Sequence, residues 1–257
     1  MNIFKKIYNY RELLKTNVKK EIRGRYKNSF LGVLWSFLNP LLQLVVYSVI
    51  FGALFNTDDP AYPIYICVAL IPWTFFTQTI TESAYTVIGN SNIIQKVYFP
   101  REILPISVVT SGAINFIIST ILILGFAIGF GKGLTWYILL YPFILLIQYI
   151  LLLGLSFIFS AITVYFRDLE HIIGIVLMAG FYATPIVYQV NQLPANLQVI
   201  INLNPMTHII NGYRSIFYYQ QMPDFKALGI LLAISIGITI IGYFIFKKLQ
   251  RGFAEEL

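Results

Sequence analysis

The chain holds one cysteine, Cys67, and two histidines in 257 residues. A lone thiol excludes an intrachain disulfide framework and any multi-cysteine metal site, so Cys67 reads as a small buried hydrophobe. Charge is equally scarce. Asp, Glu, Lys and Arg make up 11% of residues, against about 25% in a soluble domain. The apolar share is 58%, above the roughly 45–50% of soluble domains. A chain of this length cannot hide that much apolar surface inside itself, so lipid is the solvent for part of it. The net charge of +7 raises nucleic acid as a partner, but where the charges lie matters more than their sum.

What is abundant is the long apolar run. Stretches of about 20 apolar residues give six candidate spans: 34–55, 63–88, 104–130, 136–165, 170–189 and 226–246. Polar breaks such as "NTDDPAYP", "NSNIIQKVYFPRE", "GKG" and "FRDLEH" separate them. The fourth exceeds what a bilayer needs and is expected to tilt or protrude. Gly174, Gly180 and Pro185 interrupt the fifth. The runs are rich in leucine and isoleucine and far too long for barrel strands. The expected fold class is therefore all-α: a polytopic membrane protein of six transmembrane helices.

Lysine and arginine orient it. With the N-terminus inside, nine fall in residues 1–34, followed by Lys96, Arg101, Arg167, Lys247, Lys248 and Arg251. Only Lys132, Arg214 and Lys226 remain for the other side. This is the positive-inside pattern, with both termini cytoplasmic. It accounts for the basic surplus without nucleic acid. The N-terminal segment is also no cleavable signal, because it lacks a short apolar core and a small-residue cleavage site.

In residues 2–28, Ile3, Ile7, Tyr10, Leu14, Val18 and Ile22 recur every three or four positions. Lys5, Lys6, Arg11, Lys15, Lys19 and Arg23 fall between them. The pattern predicts an amphipathic helix at the cytoplasmic membrane surface, its basic face meeting anionic headgroups; the alternative is a helix packed on the rest of the protein. The chain thus reads as one transmembrane domain over 1–257, with an interfacial helix at 1–30, a six-helix bundle at 34–246 and a cytoplasmic tail at 247–257.

Candidate chemistry is sparse. Glu82 is the ionisable residue inside a predicted span, where such residues are costly and commonly functional; a local bond to Thr79, Ser83 or a neighbouring helix competes with a proton-relay role. His171 and His208 fall on opposite sides and cannot share a metal. The segment "GFAIGFGKG" fails the phosphate-loop spacing, since glycine follows Lys132. Gly125, Gly129 and Gly133 read better as a close-packing helix face with an external turn. No catalytic, cofactor or metal site is expected in this chain.

Four segments carry a resemblance: "RYKNSFLGVLWSFLNPLLQLVVYSVIFGALF", "QKVYFPREILP", "VYFRDLEHI" and "NPMTHIINGYR". In order and over essentially the whole chain, it resembles the membrane subunit of bacterial ABC exporters for O-antigen, capsular polysaccharide or teichoic acid. The resemblance implies a permease of the bacterial cytoplasmic membrane that works as a homodimer. It also implies two copies of a cytoplasmic ATPase that binds ATP and Mg, and a lipid-linked glycan as cargo.

In that setting Pro40 is expected at the first turn of the first span, where a missing N–H costs least. The segment holding Ile94, Lys96, Val97, Tyr98, Phe99, Arg101 and Glu102 becomes the ATPase-coupling candidate, a short helix bounded by Pro100. After the fifth span, helical spacing on both sides of Asn204-Pro205 predicts two short amphipathic helices. The resemblance makes them an extracellular gate, with Asn204, Pro205, Tyr213 and Arg214 as its candidate residues. Gln43, Tyr47 and Phe51, spaced by four, share one face of the first span. Phe181, Thr184 and Tyr188 share a face of the fifth. Polar groups avoid lipid, so both stripes turn inward, either as helix packing or as a translocation path whose aromatic rings meet sugar C–H faces. Competing functions are an ABC permease for a drug or other lipophilic cargo, a secondary transporter and a lipid-modifying enzyme. The last two call for more intramembrane charge than Glu82 supplies.

Overall fold

A computed structural model describes residues 8–25, 29–54 and 59–257, and they form helices joined by turns, with no strand among them. Helix α1 (Arg11–Arg25) packs along α5 (Ile103–Gly129). Its residue Val18 is buried, and Leu13 and Leu14 lean on a cluster that includes Ile94, Phe99, Phe157 and Phe246. Lys15, Lys19 and Arg23 stay exposed, leaving a basic outer face. The apolar stripe is therefore turned onto protein. Its first members, Ile3 and Ile7, lie outside the described residues, as do Lys5 and Lys6.

Helix α2 (Trp35–Leu54) follows a single tight turn at Gly32–Leu34. Its bounds agree with the predicted span to within one residue, and Pro40 is its sixth residue, in the second turn rather than the first. Proline has no N–H to offer the carbonyl four residues back, which is that of Ser36. The hydroxyl of Ser119 on α5 donates to that freed carbonyl at 3.3 Å. A neighbouring helix thus repairs the ladder, which is what makes proline tolerable inside a span.

Helix α3 (Tyr62–Thr86) is the centre of the molecule; it touches α2, α5, α6 (Tyr141–Tyr165), α7 (Leu169–Tyr182) and α9 (Pro205–Phe217). Short α4 (Ser91–Lys96) leads into α5. The overlong fourth span resolves into a tight turn, Trp136–Leu140, and then α6. Helix α10 (Phe225–Leu249) runs against α6, and there the backbones nearly touch: a Cβ built on Gly154 would lie 2.7 Å from the Thr239 nitrogen. A Cβ on Gly242 would collide with the Gly154 carbonyl. Small residues let helices approach in lipid, but the glycines that do so are Gly154 and Gly242. Gly125 and Gly129 meet nothing within 4 Å, which corrects the close-packing reading of that pair. Gly131 and Gly133, at φ of 75° and 72°, make the turn that follows α5.

The fifth span departs most from expectation. Helix α7 ends at Tyr182, seven residues early. At about 1.5 Å per residue it is roughly 21 Å long, short of a hydrocarbon core of about 30 Å. Residues 183–190 leave the helix and turn inward, burying Ile186 and Val187. Helices α8 (Ala195–Leu203) and α9 then meet at Asn204, as the spacing predicts. The chain closes with a turn at Gln250–Gly252 and α11 (Phe253–Glu256), which seats Phe253 against Phe246 and Tyr165 at 5.5 and 6.4 Å. Residues 247–257 are thereby folded onto the body rather than trailing from it. Loops collect at two ends: α1, α4 and the C-terminal turn at one, and α8, α9 and the α5–α6 turn at the other.

Candidate functional site

Four regions bring the candidate residues into contact. The first is the break after α7, where backbone inside a membrane protein must find partners other than water. Consecutive carbonyls there are each matched. The Asn204 side-chain amide donates to the Ala183 carbonyl at 3.1 Å, and the Ile186 amide to that of Thr184 at 2.7 Å. The Arg214 guanidinium donates to the Pro185 and Ile186 carbonyls at 2.5 and 2.7 Å. The hydroxyls of Tyr62 and Tyr65 donate to Val187 and Tyr188 at 2.6 and 2.9 Å.

Arg214 is buried, and its carbon Cζ stands 3.5 Å from the centre of the Tyr65 ring. Burial drives its pKa down to about 10, partly offset by the surrounding tyrosines, so it remains a cation at neutral pH. Asn204 also caps α9, accepting from the Met206 amide at 2.9 Å, and bonds Thr184 at 2.8 Å. Tyr213 is fully buried and donates to Gln148, whose amide reaches the Pro72 carbonyl at 2.9 Å. Pro205 opens α9. Asn204, Tyr213 and Arg214 thus fasten α9 to α3, α6 and the break, while Pro205 starts the helix. Sequence reasoning missed Tyr62, Tyr65 and Gln148, because their carbonyl partners lie far away in the chain.

The second region holds the aromatic stripes. Tyr47 lies 5.3 Å from Phe181 and 6.0 Å from Phe51, and Phe181 lies 6.3 Å from Trp73. Gln43 is exposed on the same helix as Tyr47. Phe181, Thr184 and Tyr188 do not share a helical face, because α7 has ended before Thr184. Thr184 is buried, its hydroxyl donating back to the last turn of α7 at the Gly180 carbonyl at 2.7 Å, while the hydroxyl of Tyr188 reaches back to the Tyr182 carbonyl at 2.8 Å.

The third region is residues 91–102. Ile94, Phe99 and Glu102 are buried and anchor the segment, while Lys96, Val97 and Tyr98 face outward, Tyr98 being 95% exposed. Arg101 donates to the Gln250 carbonyl and lies over the Phe253 ring at 5.8 Å. The segment and the C-terminal turn form one unit.

In the fourth region Glu82 meets a partner that sequence reasoning did not name. Arg25, at the end of α1, pairs with it at 2.6 Å. The pair borders a cavity of about 310 Å³ between α2, α3 and α5. At the opposite end of the molecule, Asp59 accepts from Tyr218 and from the Ala61 amide, and Lys132 lies over the Tyr218 ring at 4.6 Å. Burial opposes the Asp59 carboxylate, but these bonds and the Lys132 charge outweigh it and hold its pKa below the ordinary value. His171 lies in the first turn of α7 at one end, and His208 bonds the Asn202 carbonyl at the other.

Comparison with known proteins agrees with this architecture. Residues 12–218 match the ABC-2 type transporters. An O-antigen export system permease protein RfbA of Myxococcus xanthus is 35% identical over 259 residues, covering all of both chains. One of Klebsiella pneumoniae, with the same name, is 35% identical over 248 residues, 96% of this chain and 95% of its own. A polysialic acid transport protein KpsM of Escherichia coli is 24% identical over 254 residues, 93% and 92% of the two chains. Among the described residues five helices are long and apolar enough to cross a membrane, with α7 a shorter sixth. The matched segment takes in most of them, and the chain is a multi-pass membrane protein that belongs to the ABC-2 type transporter family.

Proposed function

We propose that this chain is the permease subunit of an ATP-driven exporter that carries a lipid-linked cell-surface polysaccharide, of the O-antigen, capsule or teichoic acid kind, out of the cytoplasm. The observation that carries the reading is the end-to-end similarity to permeases named for O-antigen export. The chain works as a homodimer, and ATP and Mg are bound by two copies of a separate ATPase. That ATPase docks at the end formed by α1, α4 and the C-terminal turn, which is the cytoplasmic end. Basic residues concentrate there, supporting the orientation. Val97 and Tyr98, held outward by buried Ile94 and Phe99, supply an apolar contact for it. Because Arg101 is engaged with Gln250 inside the chain, Tyr98 is the cleaner probe of docking.

The aromatic contact between Tyr47 and Phe181 belongs to the passage near the dimer axis, where rings offer sliding contact to sugars. Helices α8 and α9 close its outer mouth.

Deleting the gene should abolish the surface glycan and leave lipid-linked glycan inside the cell. Intact surface glycan in the deletion strain would refute the reading, and lost drug resistance instead would favour a lipophilic cargo. Tyr98→Ala should lower co-purification of the ATPase with the membrane subunit. A cysteine at Asn196 should react with an impermeant thiol reagent in intact cells, and one at Asn92 should not; the reverse labelling would invert the orientation.

A further inference from the structure

The cavity beside the Arg25–Glu82 pair is unusual for its surroundings. Polar side chains are costly in hydrocarbon, yet three helices direct them to one point in register. Thr74, Gln78 and Glu82 are spaced by four on α3, and Asn115 and Ser119 by four on α5, so each set shares a helix face. Asn39 joins them from α2. Packing accounts for Ser36, Asn115 and Ser119, which bond across α2 and α5, but not for Asn39 and Gln78. The Ser36 hydroxyl donates to Asn115 at 2.8 Å, and Thr74 donates to the carbonyl of Leu70 at 2.9 Å. By contrast, the side-chain amides of Asn39 and Gln78 have no hydrogen-bond partner among the described residues, and both residues are exposed and line the cavity. Each amide offers two donors and an acceptor.

The charge of the site narrows its ligand. Arg25 by itself would favour phosphate, but Glu82 pairs with it at 2.6 Å and also lines the cavity. A carboxylate facing the space repels an anion, and the paired charges leave the site near neutral. What remains is a set of amides and hydroxyls that both donate and accept, beside Trp35. That chemistry matches an uncharged polyhydroxyl group. The volume, about 310 Å³, stands at the lower limit of ligand pockets, which run from about 300 to 1,000 Å³; it suits a short piece of glycan rather than a polymer. Glu82 lines a second hollow of about 400 Å³ with Lys20, Asn90 and Glu170. The ion pair therefore stands between the cavity and the end of the molecule that carries α1.

We propose that the cavity between α2, α3 and α5 is a binding subsite for a neutral sugar unit, separate from the Tyr47–Phe181 contact, with Gln78 and Asn39 as its ligand-facing amides and the Arg25–Glu82 pair as its door. The proposal rests on the polysaccharide reading above and deepens it.

A photoreactive phenylalanine analogue placed at Gln78 in glycan-producing cells tests it, with the same analogue at Ile121, an outward-facing position of α5, as reference. Illumination should yield an adduct that carries glycan from position 78, several-fold above position 121. In parallel, Gln78→Leu should lower export several-fold at an unchanged protein level. Gln78→Lys should lower export as well. An adduct that carries phospholipid without sugar, or a Gln78→Lys variant that exports better than wild type, would overturn the neutral-sugar assignment in favour of a phosphate group. No adduct at position 78 together with wild-type export by Gln78→Leu would overturn the subsite itself. The deletion strain separates the two levels: if deletion abolishes surface glycan while these variants behave as wild type, only the subsite fails.

Discussion

Helices α2 and α3 lie side by side and differ in a direction that hydropathy does not foretell. Helix α3 is the less apolar of the two, yet 72% of its most apolar window is buried, against 11% for α2. Lipid dissolves leucine as well as a protein core does, so hydrophobicity alone does not drive helices together in a bilayer. What draws α3 inward is its polar cargo. Its Tyr62 and Tyr65 hydroxyls, Ser83 and the Pro72 carbonyl all bond to other elements. Helix α2 presents Leu42, Val45, Val46, Val49 and Ile50 outward, a face that lipid or a second copy of the chain can cover. The first helix is a surface and the second is a scaffold.

The strongest way to break that contrast is to remove what ties the scaffold to the break after α7. Arg214→Met takes donors from the carbonyls of Tyr65, Pro185 and Ile186. At about 1–3 kcal/mol for each orphaned buried group, the loss should be on the order of 3 kcal/mol or more. It should appear as a large drop in the thermal midpoint of detergent-solubilised protein. Arg214→Lys should recover only a part, since one ammonium cannot span the planar fork. A wild-type midpoint for Arg214→Met would refute the carbonyl clamp.

Next in size is the contact between α6 and α10. Gly154→Leu forces bulk into a place where backbones meet, and overpacking of this kind costs about 1–3 kcal/mol. Gly125→Leu, which points into open space, should stay within about 0.5 kcal/mol. Equal midpoints for the two variants would mean that the close approach at Gly154 is not structural.

Tyr47→Ala sharpens the contrast on the α2 side. It forfeits two ring pairs, with Phe181 and Phe51, each worth about 0.5–1.5 kcal/mol, and the folded protein should survive. If α2 is a working surface, glycan export should fall well beyond what the small loss in stability explains. Export at the wild-type rate would leave the Tyr47–Phe181 contact as packing alone.

The smallest effect concerns pH at the end carrying α9. The Asp59 pKa is lowered in the folded chain. The stability this gives is therefore present above the ordinary carboxylate value of about 3.9 and is lost as pH falls through the lower, folded value. Asp59→Asn should abolish that acid-side dependence and slightly lower the thermal midpoint at neutral pH, where the carboxylate's contribution is fully present. An undiminished acid response in Asp59→Asn would assign it to other carboxylates.

Much of this was legible in the chain itself. Runs of apolar residues located the long helices, because no soluble arrangement could bury them, and Asn204-Pro205 marked the junction of α8 and α9 through capping chemistry. Where reading failed, the reason was a remote partner. Pro185 marked an interruption in the fifth span, but hydropathy carried the span on to 189, since Ala183 to Val187 contain little that is polar, whereas α7 stops at Tyr182. The helix can stop there because Arg214, Tyr62, Tyr65 and Asn204 satisfy the freed carbonyls from far along the chain. Pro40 was placed a turn too early for a similar reason, since Ser119 of α5 accommodates it inside α2. Glu82 could be flagged as costly, but its partner Arg25 lies 57 residues away.

Composition and periodicity alone determined that this chain is helical, that it crosses a membrane several times and that its basic residues gather at one end. These follow from transfer energies that each residue carries wherever it sits. Only the tertiary structure decided which helix is scaffold and which is surface, where α7 breaks, which glycines touch and which polar side chains meet in one cavity. Those outcomes depend on pairing donors with acceptors across long separations in sequence, and in a medium without water such pairing is not optional.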